Sequence, residues 1–162
     1  MAEPSIEVSK SQFKRFIVAY NKLHNSDFVW DSVNSNQNDN WDFRGRDINN
    51  GKFINIQYTE AIVNHQQKGN LEAFRRGEYE FESAIGLKFS TQIVEEAYGN
   101  KLKMADRDVI LLVGFHDFHY EKENKYDDVE KIREHIKDKF GHCVFRELWI
   151  VNLHGGLADF IF

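Results

Sequence analysis

The chain has 162 residues, of which 29% are charged and 14% aromatic, with a formal net charge of −5. That mixture describes one folded domain over residues 1–162, long enough to bury a core, and excludes a disordered chain. The acidic balance weighs against coating duplex DNA by bulk charge. No apolar run reaches a membrane span, and the N-terminus lacks a signal peptide's pattern. The single cysteine, Cys143, excludes an internal disulfide and a multi-cysteine zinc site. A cytoplasmic protein with no membrane partner is the expectation.

In chain order, Ser9 or Ser11 can cap a first helix, where Phe13, Phe16, Ile17, Tyr20 and Leu23 recur at three and four residues. The helix should end near His24-Asn25. Phe28 to Val33 reads as a short strand, and Asn34 to Asn40 as an exposed loop.

The segment from Asn40 to Glu60 is the most informative. Asp42 opens one short strand, Asn49-Asn50-Gly51 reverses the chain, and a second strand runs from Phe53 into polar residues. Phe53, Asn55, Gln57 and Thr59 share one face of that strand; Ile54, Ile56, Tyr58 and Glu60 share the other. The hairpin can bring Asp42 near Gln57, Thr59 or Glu60, which would set oxygen ligands from two strands around a hard cation. The plain structural alternative is an edge hairpin with a solvated polar rim.

From roughly Leu71 to Ala105 the pattern turns helical, with Ile85, Phe89, Ile93, Val94 and Ala97 on one face. Val109 to Val113 is a continuous apolar run, the mark of a strand buried on both faces. Asp127 to Phe140 is an amphipathic helix with Val129, Ile132, Ile136 and Phe140 inward and Gly141 as its stop. Phe145 to Leu153 is another strand, and Leu157 to Phe162 a short last one. A hairpin followed by strand, helix and strand gives an α/β (α+β) fold. Its centre is a mixed β-sheet of about five strands flanked by helices.

This order resembles the PD-(D/E)XK nuclease superfamily, the restriction-endonuclease-like fold, from about Phe13 to Leu153. Asn40-Trp41-Asp42 is similar to the family's Pro-Asp element, with Trp41 in place of proline. Gln57-Tyr58-Thr59 is similar to its Glu-x-Lys element, followed directly by Glu60. The resemblance implies a metal-dependent nuclease that hydrolyses phosphodiester bonds. Asp42, Gln57 and Glu60 would hold Mg2+ or Mn2+, with Asp42, Gln57, Thr59 and Glu60 as the catalytic positions. Gln57 keeps an oxygen but not the charge, and Thr59 stands where the family has an ammonium. Glu60 would join the site if a bulge turned it inward. A migrated lysine would come from Lys88, Lys101 or Lys103, and an outer oxygen from Glu7 or Gln12; Asp47 lies too near the turn. The alternative is an inactive nuclease-like domain that binds nucleic acid or a protein partner. One setting for it is a bacterial or phage conflict system.

Other constellations are weaker. His116-Asp117-Phe118-His119, with His154 or Asp159, has a zinc-like spacing, and its plain reading is a polar loop capping a strand. Lys14-Arg15, Arg44 with Arg46, Arg75-Arg76, and Lys101 with Lys103 are basic patches suited to phosphate or to solvent. Trp30 and Trp41 flank the Asn loop, where exposed rings would stack on bases. Cys143 reads as a buried structural thiol.

Overall fold

The computed structural model describes residues 6–36, 39–61, 90–115, 125–153 and 156–162, and only the backbone of 90–93 and 125–128. Lys88, Arg75-Arg76, the rest of the stretch 71–89, His116 to His119 and His154 lie outside the described residues.

Helix α1 spans Ile6–His24 and buries Phe13, Phe16, Ile17 and Tyr20. It starts a turn earlier than a Ser9 or Ser11 cap would place it, so Ser9 is an internal, buried residue. Leu23, expected inward, is exposed. Asn25 follows it at φ 50°, a left-handed stop that asparagine tolerates. Asn21 then fixes the entry into the sheet: its side chain accepts from Phe28 N–H at 2.9 Å and donates to the Phe28 carbonyl at 3.0 Å.

Among the described residues the fold is α+β around a mixed sheet of six strands, against about five expected, in the order β1-β2-β3-β4-β5-β6. These are β1 Phe28–Val33, β2 Phe43–Asp47, β3 Phe53–Glu60, β4 Val109–Phe115, β5 Glu147–Asn152 and β6 Asp159–Phe160. β1, β2 and β3 form an antiparallel meander, β3, β4 and β5 run parallel, and β6 returns antiparallel. A register shift between Trp30 and Ser32 puts a bulge at Asp31 in β1.

The β2–β3 turn is built by side chains. Asp47 is buried and accepts from Asn49 N–H, Asn50 accepts from Lys52 N–H, and Gly51 takes φ +74°. Asp47 is therefore spent on the turn.

Two cores cover the sheet's two faces. α1 packs its aromatic row on Ile54, Ile56, Ile110, Leu112, Trp149 and Val151. On the other face, α2 (Ser90–Lys101) and α3 (Lys125–Phe140) bury Val94, Ala97, Tyr98, Ile132 and Ile136 against Leu111, Val113, Leu148 and Ile150. The described helices of both crossovers therefore lie on one side. β4 is buried at every residue, as its unbroken apolar run requires. Gly141, at φ +79°, closes α3 by donating to the Lys137 carbonyl at 2.9 Å. No described helix is long and apolar enough to cross a membrane.

Candidate functional site

β3 outruns β2. The β2–β3 register pairs Phe43 with Ile56, so β2 has not yet begun opposite Gln57. β3 nevertheless continues to Glu60 beside β4. Asp42 sits at that step, one residue before β2. Its N–H donates to the Ile56 carbonyl at 2.8 Å, and its Oδ2 accepts from Tyr58 N–H at 2.8 Å. The carboxylate thus takes over a backbone donor that a longer β2 would have satisfied.

A cleft of about 480 Å³ opens beside this step, in the size range of ligand sites. Its walls come from five parts of the chain: Ile6 and Ser9 of α1, Val33 to Asn36 after β1, Asp39 to Asp42, Gln57 of β3, and Met104. Met104 belongs to a single 3-10 turn, Leu102–Met104, that continues α2. The cleft unites Asp42 and Gln57, as the hairpin geometry implied.

Gln57 is only 4% exposed. Its Nε2 lies 3.7 Å from the Met104 thioether, a weak acceptor, and its Oε1 has no hydrogen-bond partner among the described residues. An unpaired buried amide oxygen costs about 1–3 kcal/mol. Trp41 is held from the side by Arg44, whose guanidinium carbon lies 4.3 Å from the Trp41 ring centroid and 4.8 Å from that of Phe53. Arg44 Nε also donates to Asn55 Oδ1 at 2.7 Å, which fixes the guanidinium between the two rings.

The remaining expected site residues do not line this cleft. Thr59 shares the Gln57 face and is half-buried. Glu60 stays on the opposite face, because the β3–β4 register is regular from Asn55 to Glu60 and the bulge that would turn it inward is not formed. There it neighbours Tyr58, whose phenol is pushed up first by burial and then by the Glu60 charge. Tyr58 reaches its hydroxyl across β4 to Gly114, where a Cβ would sit 2.3 Å from that oxygen. Glu7 is exposed, and neither Lys101 nor Lys103 lines the cleft; the 3-10 turn presents Met104 instead.

Gln12 also has a buried Oε1 without a partner among the described residues, but it lies outside the cleft. Trp30 is half-buried, packed edge-on to Phe13 at 5.6 Å with Lys10 Nζ 5.7 Å from its ring centroid. Arg46 is 4.0 Å from Asp31, and Asp159 pairs with Ile150 at the sheet margin. The Cys143 thiol is pushed up mainly by burial and lies 3.7 Å from the Phe145 carbonyl, as fits a structural thiol.

A magnesium ion takes about six oxygens and draws its affinity from anionic ones. Here Asp42 supplies one carboxylate, already engaged with Tyr58, and Gln57 supplies a neutral oxygen. Among the described residues no three His, Cys, Asp or Glu side chains gather as a metal site. With Glu60 on the opposite face, the matched positions bring one of the two acidic ligands that the nuclease resemblance implies, and the other carboxylate lining the cleft is Asp39.

Sequence reasoning gave no site role to Ile6, Ser9, Val33, Asp39 or Met104, all of which line the cleft. Each reaches the cleft through tertiary packing and carries no local chemical motif. No protein-family model, no curated protein and no solved structure matches the chain.

Proposed function

We propose that this chain is a restriction-endonuclease-like domain that works by binding a partner in the Asp42–Gln57 cleft rather than by hydrolysing phosphodiester bonds. The order helix, antiparallel meander, helix, parallel strand supports the fold half of this reading. The observation that carries the functional half is the chemistry of the three key positions. Asp42 caps the β3 edge, Gln57 is a buried neutral amide beside a thioether, and Thr59 is a half-buried hydroxyl. This set can orient a ligand by hydrogen bonds. These three positions carry one carboxylate between them and no ammonium to position a water.

A divergent Mg2+- or Mn2+-dependent nuclease is the second reading, favoured by the meeting of Asp42 and Gln57 in one cleft. A manganese titration with single- and double-stranded DNA and RNA separates the two. Wild type should cleave none of them. Cleavage by wild type that Asp42→Asn abolishes, and that Gln57→Glu or Thr59→Lys increases, would establish the nuclease instead.

A further inference from the structure

We propose that the ligand of the cleft is a nucleoside whose base edge pairs with the Gln57 side chain, an inference that rests on the binding-domain reading above. Gln57 is a side chain with two incomplete bonds. It is 4% exposed, and its Oε1 has no hydrogen-bond partner among the described residues. Its Nε2 meets the Met104 thioether at 3.7 Å, a weak acceptor. A ligand that suits this amide brings a donor for the oxygen and a better acceptor for the nitrogen.

Geometry selects the class. The two ends of a carboxamide lie side by side in one plane, so their partners must also be neighbours on one edge. A trans peptide bond points its N–H and C=O to opposite sides and serves one end only. A nucleobase carries donor and acceptor next to each other. Adenine sets its N6 amino group beside N7, the pair that a glutamine amide grips with two bonds.

The surroundings suit a flat ring. Trp41 and Met104 line the same cleft, whose volume of about 480 Å³ is in the range of small-ligand sites. Trp41 is held by two neighbours: Asn34 Nδ2 donates to its carbonyl at 2.8 Å, and the Arg44 guanidinium carbon lies 4.3 Å from its ring centroid. The indole is thus fixed before a ligand arrives, which lowers the cost of stacking against it. Met104 is the movable wall. Its unbranched thioether side chain has three rotatable bonds, so it can leave Nε2 and lie against the base instead.

The test is an NMR titration of the full-length chain, labelled with 15N and with 13C at the methionine methyls, against adenosine. Purine riboside, which lacks the N6 amino group, is the control. The Gln57 side-chain amide, the Trp41 indole N–H and the Met104 methyl are the reporters; with two methionines in the chain, the Met104 signal is readily assigned. Saturable shifts at all three are expected. Binding should weaken about tenfold with purine riboside, since the Gln57 oxygen then stays unmatched. Gln57→Met removes both ends of the amide and should weaken adenosine at least as much, while the rest of the spectrum is retained. N-methylacetamide, an analogue of the trans peptide bond, should shift none of the reporters.

No saturable shift with adenosine, equal binding of purine riboside, or adenosine binding that survives Gln57→Met would overturn the proposal. So would N-methylacetamide shifting the reporters as adenosine does, which would point to a peptide instead. If Gln57→Met does not fold, the purine riboside comparison on wild type decides. Failure of adenosine with no manganese-dependent cleavage would remove this inference alone. Cleavage that depends on Asp42 would remove the binding-domain reading itself.

Discussion

Two buried polar side chains, Glu147 and Gln57, stand on opposite faces of the sheet and are treated in opposite ways. Glu147 opens β5 on the α1 face, where its Oε1 lies 2.9 Å from His24 Nε2 and accepts from Trp149 Nε1 at 3.2 Å. The Tyr20 ring stacks against His24 at 4.3 Å, so the end of α1 is tied to the start of β5. Gln57, by contrast, meets only a thioether and leaves its oxygen unmatched among the described residues. A fully partnered polar group in a core fixes one packing arrangement; a buried acceptor facing a cleft holds a vacancy in its own bonding that a ligand can fill. The first corner has partners for its buried polar atom, and the second leaves one unmatched among the described residues.

The largest expected effect comes from dismantling the satisfied corner. Glu147→Ala strips the acceptor from the Trp149 indole N–H, which belongs to a residue 2% exposed. It should cost about 1–3 kcal/mol in denaturant unfolding. Glu147→Gln retains an acceptor oxygen and should cost less. A neutral Glu147→Ala would erase the distinction between the two sites.

A smaller effect should appear in alkali. The Tyr20 phenol is pushed up to about 12, first by burial and then by the charge of Glu147. A raised folded pKa stabilises the protein fully below the unfolded value of about 10 and loses that contribution as pH rises toward 12. The melting temperature should therefore fall across that window, and Tyr20→Phe should flatten part of the fall. Tyr58 and Tyr98, both also raised by burial, account for slope that remains. An unchanged profile in Tyr20→Phe would place the alkaline sensitivity elsewhere.

The smallest effect should come from Gln57→Met. Replacing an unmatched amide by an apolar chain of similar length, next to Met104, should leave stability unchanged or raise it by up to about 1 kcal/mol. Destabilisation above about 1 kcal/mol would mean that the Gln57 oxygen is satisfied in the folded protein, and the comparison would collapse.

Much of the frame was legible because its signals are local. The apolar run at Val109 to Val113 became the wholly buried β4, and the spacing of Phe13, Phe16, Ile17 and Tyr20 became the inward face of α1. The turn chemistry at Asn49-Asn50-Gly51 set the β2–β3 register, and that register alone predicts Asp42 beside Gln57. What escaped depends on distance along the chain. His24 and Glu147 are 123 residues apart and share no pattern that marks them as partners. Met104 reaches the cleft only because α2 tightens into a 3-10 turn, where side-chain directions no longer follow the helical period. Glu60 lies on the face that the strand's period assigns it, and the bulge that would have brought it to the site is absent. A strand's period of two holds until a bulge breaks it, and β3 has none along its pairing with β4.

The bulge at Asp31 bears on how copies of the chain meet in solution. Among the described residues β1 forms one margin of the sheet, and a margin of six extended residues is a template on which a second molecule's strand can zip. The register shift between Trp30 and Ser32 breaks the even spacing of that template at its middle, and Asp31 adds a charge there with Arg46 close by. A straight, neutral β1 would make the margin adhesive. The irregular strand instead offers an incoming strand no evenly spaced ladder to pair with.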